Sequence, residues 1–472
     1  MERRVNARTR LLVVGGDAAG MSAASQARRR IGPDGLEVIA FERGAHTSYS
    51  ACGIPYLVGK TVAGPEDLVA RDPATFRRDQ AIDVRTGTEV RALDLDRRTA
   101  EAVGPDGRAY TEPFDHLMVA TGAVPVRPGL PGDETEGVFG VQTLDDGIAV
   151  TAYLEERRPK RAVVVGGGYI GLEMAEAFAM RGLEVTVITS GAEPMSPLDP
   201  DMGALVHGAM AEMGIDVRTG ERASAIEAEE GRVTAVVTPE KPSGRVTAVV
   251  TPEKTYPADI VVLGLGVRPG SDLAREAGLE IGPTGGIVVD ARMRTSHEGV
   301  WAAGDCVESF HRISRRPVAI ALGTHANKQG RVAGINIGGG YARFEGVLGT
   351  AITKVCDLEV ARTGLNEAEA EAAGFAFEKV TMESTTRAGY YPGATWMTVK
   401  LLAERRSGRL LGGQIVGREN SGKRVDVLAT ALWNGMDVED VAGMDLGYAP
   451  PFSPVWDPVL IAARKLAERI GH

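Results

Sequence analysis

Arg161-Ala162-Val163-Val164-Val165-Gly166-Gly167-Gly168-Tyr169-Ile170-Gly171 joins an apolar run to a glycine turn and then to a helical stretch, Leu172 to Met180. A second apolar run follows at Glu184 to Ile188. Short valine-rich runs of this kind suit a strand buried on both faces. The spacing is G-x-G-x-x-G. The first glycine serves a tight turn, the second close backbone approach to a pyrophosphate, and the third helix–strand packing. The same order stands near the N-terminus. Leu11-Leu12-Val13-Val14 leads into Gly15-Gly16-Asp17-Ala18-Ala19-Gly20, then a helix from Met21 to Arg30, then a strand from Leu36 to Phe41. One such motif is weak. Two, each in strand-turn-helix context, predict an α/β protein with two Rossmann-like dinucleotide-binding domains and two bound nucleotides.

The two units end differently. The first closes on Glu42, where an acid bonds a ribose hydroxyl, but it carries Asp17 at the second fingerprint position. The second closes on Thr189-Ser190, with neither the acid that favours NAD nor the base that favours NADP, so the nicotinamide choice stays open. Between them and the C-terminus lies a repeat: Arg-Val-Thr-Ala-Val-Val-Thr-Pro-Glu-Lys occurs at 232–241 and again at 245–254. Its Val/Thr alternation around Pro242-Ser243-Gly244 predicts an extra hairpin on the second nucleotide domain.

A chain of 472 residues suggests about three domains. With 53 basic and 63 acidic residues the net charge is -10, which argues against general nucleic-acid binding. No run approaches the length of a membrane span, and the basic start, Met1 to Arg10, lacks the apolar core of a signal peptide, so a cytoplasmic location is expected. Three cysteines, Cys52, Cys306 and Cys356, are too few and too separated for a disulfide framework. Cys52 stands in Ser48-Tyr49-Ser50-Ala51-Cys52-Gly53-Ile54-Pro55-Tyr56, just past the first unit, as a lone redox thiol. Pro55 in the first turn of a helix opening at Cys52 or Gly53 would aim helix N–H dipoles at the sulfur and favour thiolate.

The order of these parts resembles the two-dinucleotide flavoprotein disulfide reductases. Val119-Ala120-Thr121-Gly122-Ala123 is similar to the family's return to the flavin domain, and Gly264-Leu265-Gly266-Val267-Arg268-Pro269 to its counterpart after the nicotinamide domain. Thr295-Ser296-His297-Glu298-Gly299-Val300-Trp301-Ala302-Ala303-Gly304-Asp305 resembles the second flavin motif, whose aspartate bonds the ribitol. Ala321 to Arg331 resembles the helix that points its N-terminus at the flavin pyrimidine, with His325 in a packing or hydrogen-bonding role and Cys306 as a small buried residue. The resemblance implies FAD at Gly15, Gly16, Ala18, Gly20, Glu42, Arg43, Thr121, Gly122, Gly304, Asp305, His325 and Ala326. It implies NAD(P)H at Gly166, Gly168, Tyr169, Ile170, Gly171, Thr189 and Gly266. The implied architecture is like that of glutathione reductase. An FAD domain spans 9–125 and 290–347, an NAD(P) domain with the duplicated hairpin spans 126–289, and an α+β dimerisation domain spans 348–472.

The single-cysteine subgroup contains coenzyme A-disulfide reductases, NADH oxidases, NADH peroxidases and persulfide reductases. Oxidases and peroxidases carry a histidine in the first glycine loop; Gly15 to Met21 has none, and His46 is read as a loop residue. Tyr390-Tyr391-Pro392-Gly393 and Tyr448-Ala449-Pro450-Pro451 resemble segments that, in coenzyme A-disulfide reductases, bring two tyrosines from the partner subunit to the cysteine. A fused sulfur-transfer domain would need about another hundred residues. The resemblance therefore implies a homodimeric, FAD-dependent NAD(P)H:disulfide oxidoreductase. Cys52 forms a mixed disulfide with coenzyme A disulfide, its persulfide or another small disulfide, and Tyr390 and Tyr448 serve as proton donors. Coenzyme A is the expected substrate or covalent adduct. The alternatives are an NADH oxidase working through a Cys52 sulfenate and a redox-sensing flavoprotein.

Overall fold

Both glycine loops spring from the central strand of a five-stranded parallel sheet in a computed structural model that describes residues 8–228, 246–250 and 254–471. In the first sheet the order is Val300–Ala302, His116–Val119, Thr9–Val14, Leu36–Phe41 and Ile82–Arg85. In the second it is Val138–Phe139, Ile260–Leu263, Arg161–Val165, Glu184–Ile188 and Asp216–Arg218. The central strands are buried because each parallel sheet is covered by helices on one face and by a three-stranded antiparallel sheet on the other. Each loop feeds a helix, Ala18–Ile31 or Tyr169–Met180, whose N-cap residue, Asp17 or Gly168, makes no side-chain capping bond. The first-turn amides are thereby left for a ligand.

Each nucleotide domain also carries a three-stranded antiparallel sheet. In the first these strands are Glu89–Asp94, Thr99–Val103 and Ala109–Pro113; in the second they are Ala225–Ala228, Val246–Val250 and Thr255–Pro257. The second copy of the repeated decapeptide supplies the middle strand, Val246–Val250, which pairs with both neighbours. The first copy lies outside the described residues.

The two domains are joined by a strand pair, Ala123–Pro125 with Val267–Pro269. Ala274, Leu279 and Ile287 then pack with Leu12 and Ile39 in the core of the first domain. The chain thus rejoins that domain directly after Pro269, ahead of the boundary at 290 expected from the motifs, because apolar residues between the motifs cover the sheet face.

The C-terminal domain is a five-stranded antiparallel sheet ordered Ala351–Val355, Leu358–Gly364, Leu410–Gly417, Trp396–Glu404 and Phe377–Thr385. Its core joins Leu401, Leu411 and Ile415 to Leu428, Leu432 and Leu466 of the helices Val425–Asn434 and Pro458–Ile470. A buried ammonium pins this domain to the second nucleotide domain. Lys400, 1% exposed, places Nζ 3.0 Å from Asp199, 2.6 Å from Asp201 and 2.5 Å from Glu367. Three carboxylates offset the desolvation cost that a lone buried ammonium would carry. Among the described residues no helix is long and apolar enough to cross a membrane.

Candidate active site

The two glycine loops have the same geometry, and it explains which glycines are obligatory. Gly15 has φ +108°, and a Cβ there would lie 2.0 Å from the Ala120 carbonyl oxygen; Gly166 has φ +121°, with the Gly264 oxygen at 2.1 Å. The last glycines, Gly20 and Gly171, would press a Cβ within 2.0 and 2.1 Å of the Gly15 and Gly166 oxygens. The middle position is different. A Cβ on Gly168 meets nothing within 4 Å, so the side chain of Asp17 at the matching place has room. Ala18, Tyr169 and Ile170 occupy the first helical turns.

Glu42 accepts the Gly16 and Gly44 amides at 2.8 Å each and lines a cavity of about 200 Å³ with exposed Arg43, His46, Tyr49 and Asp145. His46 Nδ1 lies 3.0 Å from Asp145, which makes it a link to the second domain. The Thr121 hydroxyl donates to the Gly270 carbonyl at 2.5 Å, and Gly122 takes φ +66°, so both hold the crossing between domains. Gly304 turns with φ +89° and donates its N–H to Gln329 at 2.8 Å. Burial alone pushes the neighbouring Asp305 carboxyl up to about 6.

The helix Gly323–Ile337 starts without a side-chain cap and packs closely on Ala18–Ile31: a Cβ on Gly330 would lie 2.2 Å from the Ala19 oxygen. In its first turn Ala326 is buried and burial pushes His325 down to about 4; His325 Nδ1 has no partner. Two uncapped helix N-termini, the Glu42 acid and the Asp305 carboxyl, raised by burial, form a cradle that fits FAD: amides for pyrophosphate and acceptors for sugar and ribitol hydroxyls.

Cys52 sits on a 3-10 turn, Ala51–Gly53, ahead of the short helix Ile54–Val58, with Pro55 in its first turn. The preceding loop is stitched to the first glycine loop: Thr47 Oγ1 and the Ser48 amide both donate to the Gly16 carbonyl, the latter at 3.1 Å. The helix packs on Leu144–Arg157 and Tyr169–Met180 of the second domain, with Val58 inside that domain's core. Cys52 is therefore placed where the two nucleotide domains meet.

Its sulfur is open to solvent on one side and crowded on the other. Desolvation pushes the thiol up, and Glu173, Asp305 and Asp17 add to the rise. This corrects the expectation of a helix-stabilised thiolate. The helix has only five residues, and desolvation first, then the nearby carboxylates, raise the thiol.

Glu173 went unread in the sequence. It lies on Tyr169–Met180 two positions past Gly171, where a carboxylate interrupts the buried row Leu172, Met174 and Ala175; that interruption was the available signal. Burial pushes its carboxyl up, and the Thr353 hydroxyl donates to it. Its neighbour Glu176 takes Lys354 Nζ at 2.7 Å and the Cys356 amide at 2.9 Å. Tyr56, 39% exposed, has its phenol pushed up by desolvation first and then by Glu173 and Glu176. Cys306 is fully buried against the Ala303 carbonyl at 3.4 Å, and no cysteine pair occurs among the described residues.

On the nicotinamide side, Thr189 is 8% exposed and accepts the Gly191 amide at 3.4 Å. Gly266, φ +83°, accepts the Val126 amide at 3.0 Å beside the interdomain strand pair. Tyr390 and Tyr448 come together elsewhere, on the C-terminal domain. They are 78% and 46% exposed, and a hydrogen bond from one phenol to the other raises the pKa of Tyr448. Trp396, Phe452, Val455 and Trp456 are also exposed on this domain. The side chains acting on Cys52 come instead from the two nucleotide domains.

A family model described as pyridine nucleotide-disulphide oxidoreductase matches residues 9–330, and its dimerisation domain matches 350–458. An NAD(P)H coenzyme A polysulfide/persulfide reductase of Pyrococcus horikoshii is 37% identical, covering 98% of this chain and 99% of the relative. An NADH oxidase of Methanocaldococcus jannaschii is 34% identical over 98% of this chain and 100% of its own. The crystal structure of reduced Bacillus anthracis CoADR-RHD superposes with a TM-score of 0.92 at 32% identity, covering 98% of this chain and 81% of that one. With two glycine cradles, a lone cysteine between them and this match along nearly its whole length, the chain belongs to the FAD-dependent pyridine nucleotide-disulphide oxidoreductase family.

Proposed function

We propose that this enzyme uses NAD(P)H to reduce a sulfur–sulfur bond carried by coenzyme A, either the disulfide or the persulfide, through a mixed disulfide on Cys52. The observation that carries the reading is Cys52 alone at the junction of the two nucleotide cradles, open on one side and without a second sulfur to exchange with. A narrow pantetheine arm reaches such a thiol where a folded protein disulfide does not.

FAD, when bound, passes the two electrons taken from the nicotinamide to the sulfur at Cys52. The chain does the rest. Cys52 must lose its proton before it attacks, because the thiolate is the nucleophile. Attack on the disulfide forms a Cys52–coenzyme A bond and breaks the substrate S–S bond, releasing one coenzyme A thiolate. Two electrons then cleave the mixed disulfide, restoring the Cys52 thiolate and releasing the second thiolate. We assign to Glu173, which burial raises and whose charge acts on Cys52, the role of taking the Cys52 proton and returning it. Each departing thiolate needs a proton, and phenols held protonated at neutral pH supply it.

The exposed Tyr390–Tyr448 pair fits that role once a second copy covers the aromatic residues around it, which is why we read the enzyme as a homodimer. Three free cysteines suit a reducing, cytoplasmic setting.

The test is anaerobic oxidation of NAD(P)H by coenzyme A disulfide and persulfide, with the Cys52 peptide weighed by mass spectrometry. A coenzyme A adduct on Cys52 released by NAD(P)H, and loss of at least about 1,000-fold in rate in Cys52→Ser, are expected. Full activity in Cys52→Ser would end the proposal. Rapid NADH consumption in air with a Cys52 sulfenic acid and no thiol product would select the oxidase reading instead, which the similarity to the Methanocaldococcus jannaschii protein favours. No histidine stands in the first glycine loop to assist that chemistry.

A further inference from the structure

Asp17 is a carboxylate in a place built for an anion. It occupies the second fingerprint position, at the N-cap of Ala18–Ile31, and makes no side-chain capping bond, although the Ala18 and Tyr49 amides lie against its carboxylate. Oδ1 is buried and has no hydrogen-bond partner. The matching position in the second loop opens into free space, as the Cβ of Gly168 would, and a dinucleotide pyrophosphate approaches the backbone there. Two more carboxylates face Asp17: Glu42 at the end of Leu36–Phe41 and Asp305 on the Gly304 turn. The redox loop contributes the Tyr49 amide, which donates to Asp17, the Tyr49 phenol, which burial and the carboxylates keep protonated, and Cys52. On the adjoining helix Gly323–Ile337, His325 is neutral above about pH 4. The strongest influences on Asp17 are burial, Glu42, the Ala18 and Tyr49 amides and Asp305, none of them a cation.

We propose that FAD binding in this protein is proton-linked through Asp17. Its carboxylate takes one proton from solvent as the pyrophosphate seats, and it stands as a carboxylic acid in the flavin-loaded protein. A second anion beside the pyrophosphate would be repelled in a cleft from which water is expelled, and protonation removes the charge while leaving an O–H to donate. Before FAD arrives, burial and Glu42 already push the group up to about 6, so little further shift is needed to hold the proton at neutral pH. The inference concerns the flavin and is independent of which disulfide the enzyme reduces.

The sign follows from linkage. Below about pH 6 the group is already protonated without FAD, and affinity is flat. Above it each bound FAD takes up one proton, so the dissociation constant rises tenfold per pH unit until the loaded form itself ionises.

The experiment removes FAD from the purified protein and titrates it back between pH 5.5 and 8.5, reading flavin fluorescence, for the natural chain, Asp17→Asn and Asp17→Gly. Proton uptake in weak buffer at pH 7 is followed in parallel. The natural chain is expected to take up close to one proton per FAD and to weaken about tenfold from pH 7 to 8. Both variants are expected to bind with a flat profile and at least about tenfold more tightly than the natural chain at pH 8. A flat profile in the natural chain overturns the proposal. So does the same slope in Asp17→Asn, which would assign the proton to Asp305. Melting of the flavin-free variants checks that they fold, and if Asp17→Asn does not, Asp17→Gly decides, since the second loop folds with glycine there.

Discussion

The two nucleotide domains repeat one plan in strand order, glycine loop and strand-leading aspartate, and they part chiefly at the residues lining each cradle. Both central strands are tied at their start by the same device. Asp115 precedes one neighbouring strand, takes the Arg10 amide at 2.8 Å and returns its own amide to the Arg10 carbonyl at 3.0 Å. Asp259 does the same with Arg161, at 3.0 and 2.9 Å. The first and last fingerprint glycines are equally crowded in both loops. The differences are Glu42 against Thr189, Asp17 against Gly168, and the cover. Among the described residues, the first cradle alone is closed by a third element, the Gly304 turn with the helix Gly323–Ile337. The crowded glycines and the strand-leading aspartates are thus shared by both halves, while the positions that differ lie where the proposed flavin and nicotinamide sites would hold their nucleotides.

The largest test of this division is a matched pair of substitutions. Gly15→Ala and Gly166→Ala each drive a Cβ into a carbonyl at a positive φ, at a cost of several kcal/mol to the local fold. Gly15→Ala is expected to purify without flavin absorbance. Gly166→Ala is expected to keep the flavin spectrum, while bleaching by NADH or NADPH slows at least about 100-fold. Loss of flavin from Gly166→Ala would break the comparison, because the halves would then not fold and load separately.

A smaller effect sharpens it. Thr189 ends the second strand without a carboxylate, so nothing there repels a 2'-phosphate. Thr189→Asp gives the second half the acid that the first half already has. The ratio of kcat/KM for NADH over NADPH is expected to rise at least about tenfold, roughly 1.4 kcal/mol, with flavin content unchanged. An unchanged ratio would mean that selection rests on other residues.

Periodicity and glycine spacing made both sheets legible, because a parallel strand buried on two faces reads as an unbroken apolar run and the last loop glycines, Gly20 and Gly171, answer to carbonyls five residues back. The lone thiol was legible for a chemical reason: no other cysteine is near it. What escaped depends on distant packing. Glu173 acts on Cys52 because Ile54–Val58 lies against Tyr169–Met180, and the upward shift of the thiol comes from desolvation between the two domains, with carboxylates on three separate segments adding to it. The return point after Pro269 was missed because Ala274, Leu279 and Ile287 carry no motif, only a shared core with Leu12. Asp17 was visible as a departure, but its unpaired Oδ1 was not.

The smallest effect concerns the strand-leading aspartates. In the second half Arg161 turns its guanidinium back on Asp259, 2.8 Å from Oδ1, while Oδ2 accepts the Lys160 and Arg161 amides at 3.0 Å each. In the first half the Arg10 guanidinium goes instead to Glu37 and Glu112, at 2.8 and 3.4 Å. The Arg161 hydrogen bond, helped by the two amides, lowers Asp259 from 3.8 to about 2. A carboxyl lowered in the folded state stabilises it above the unfolded value and loses that contribution as pH falls through the folded one, so the window here is pH 4 down to 2. Arg161 is 43% exposed, which screens the pair, and about 1 kcal/mol remains at neutral pH. Asp259→Asn is therefore expected to lower the melting temperature by about 2–4 °C at pH 7. The gap to the natural chain should narrow by pH 3. If it is as wide at pH 3 as at pH 7, the ion pair contributes nothing and the amide bonds alone fix the strand. The two halves would then be tied by one neutral device, and the different paths of Arg10 and Arg161 would carry no energetic meaning.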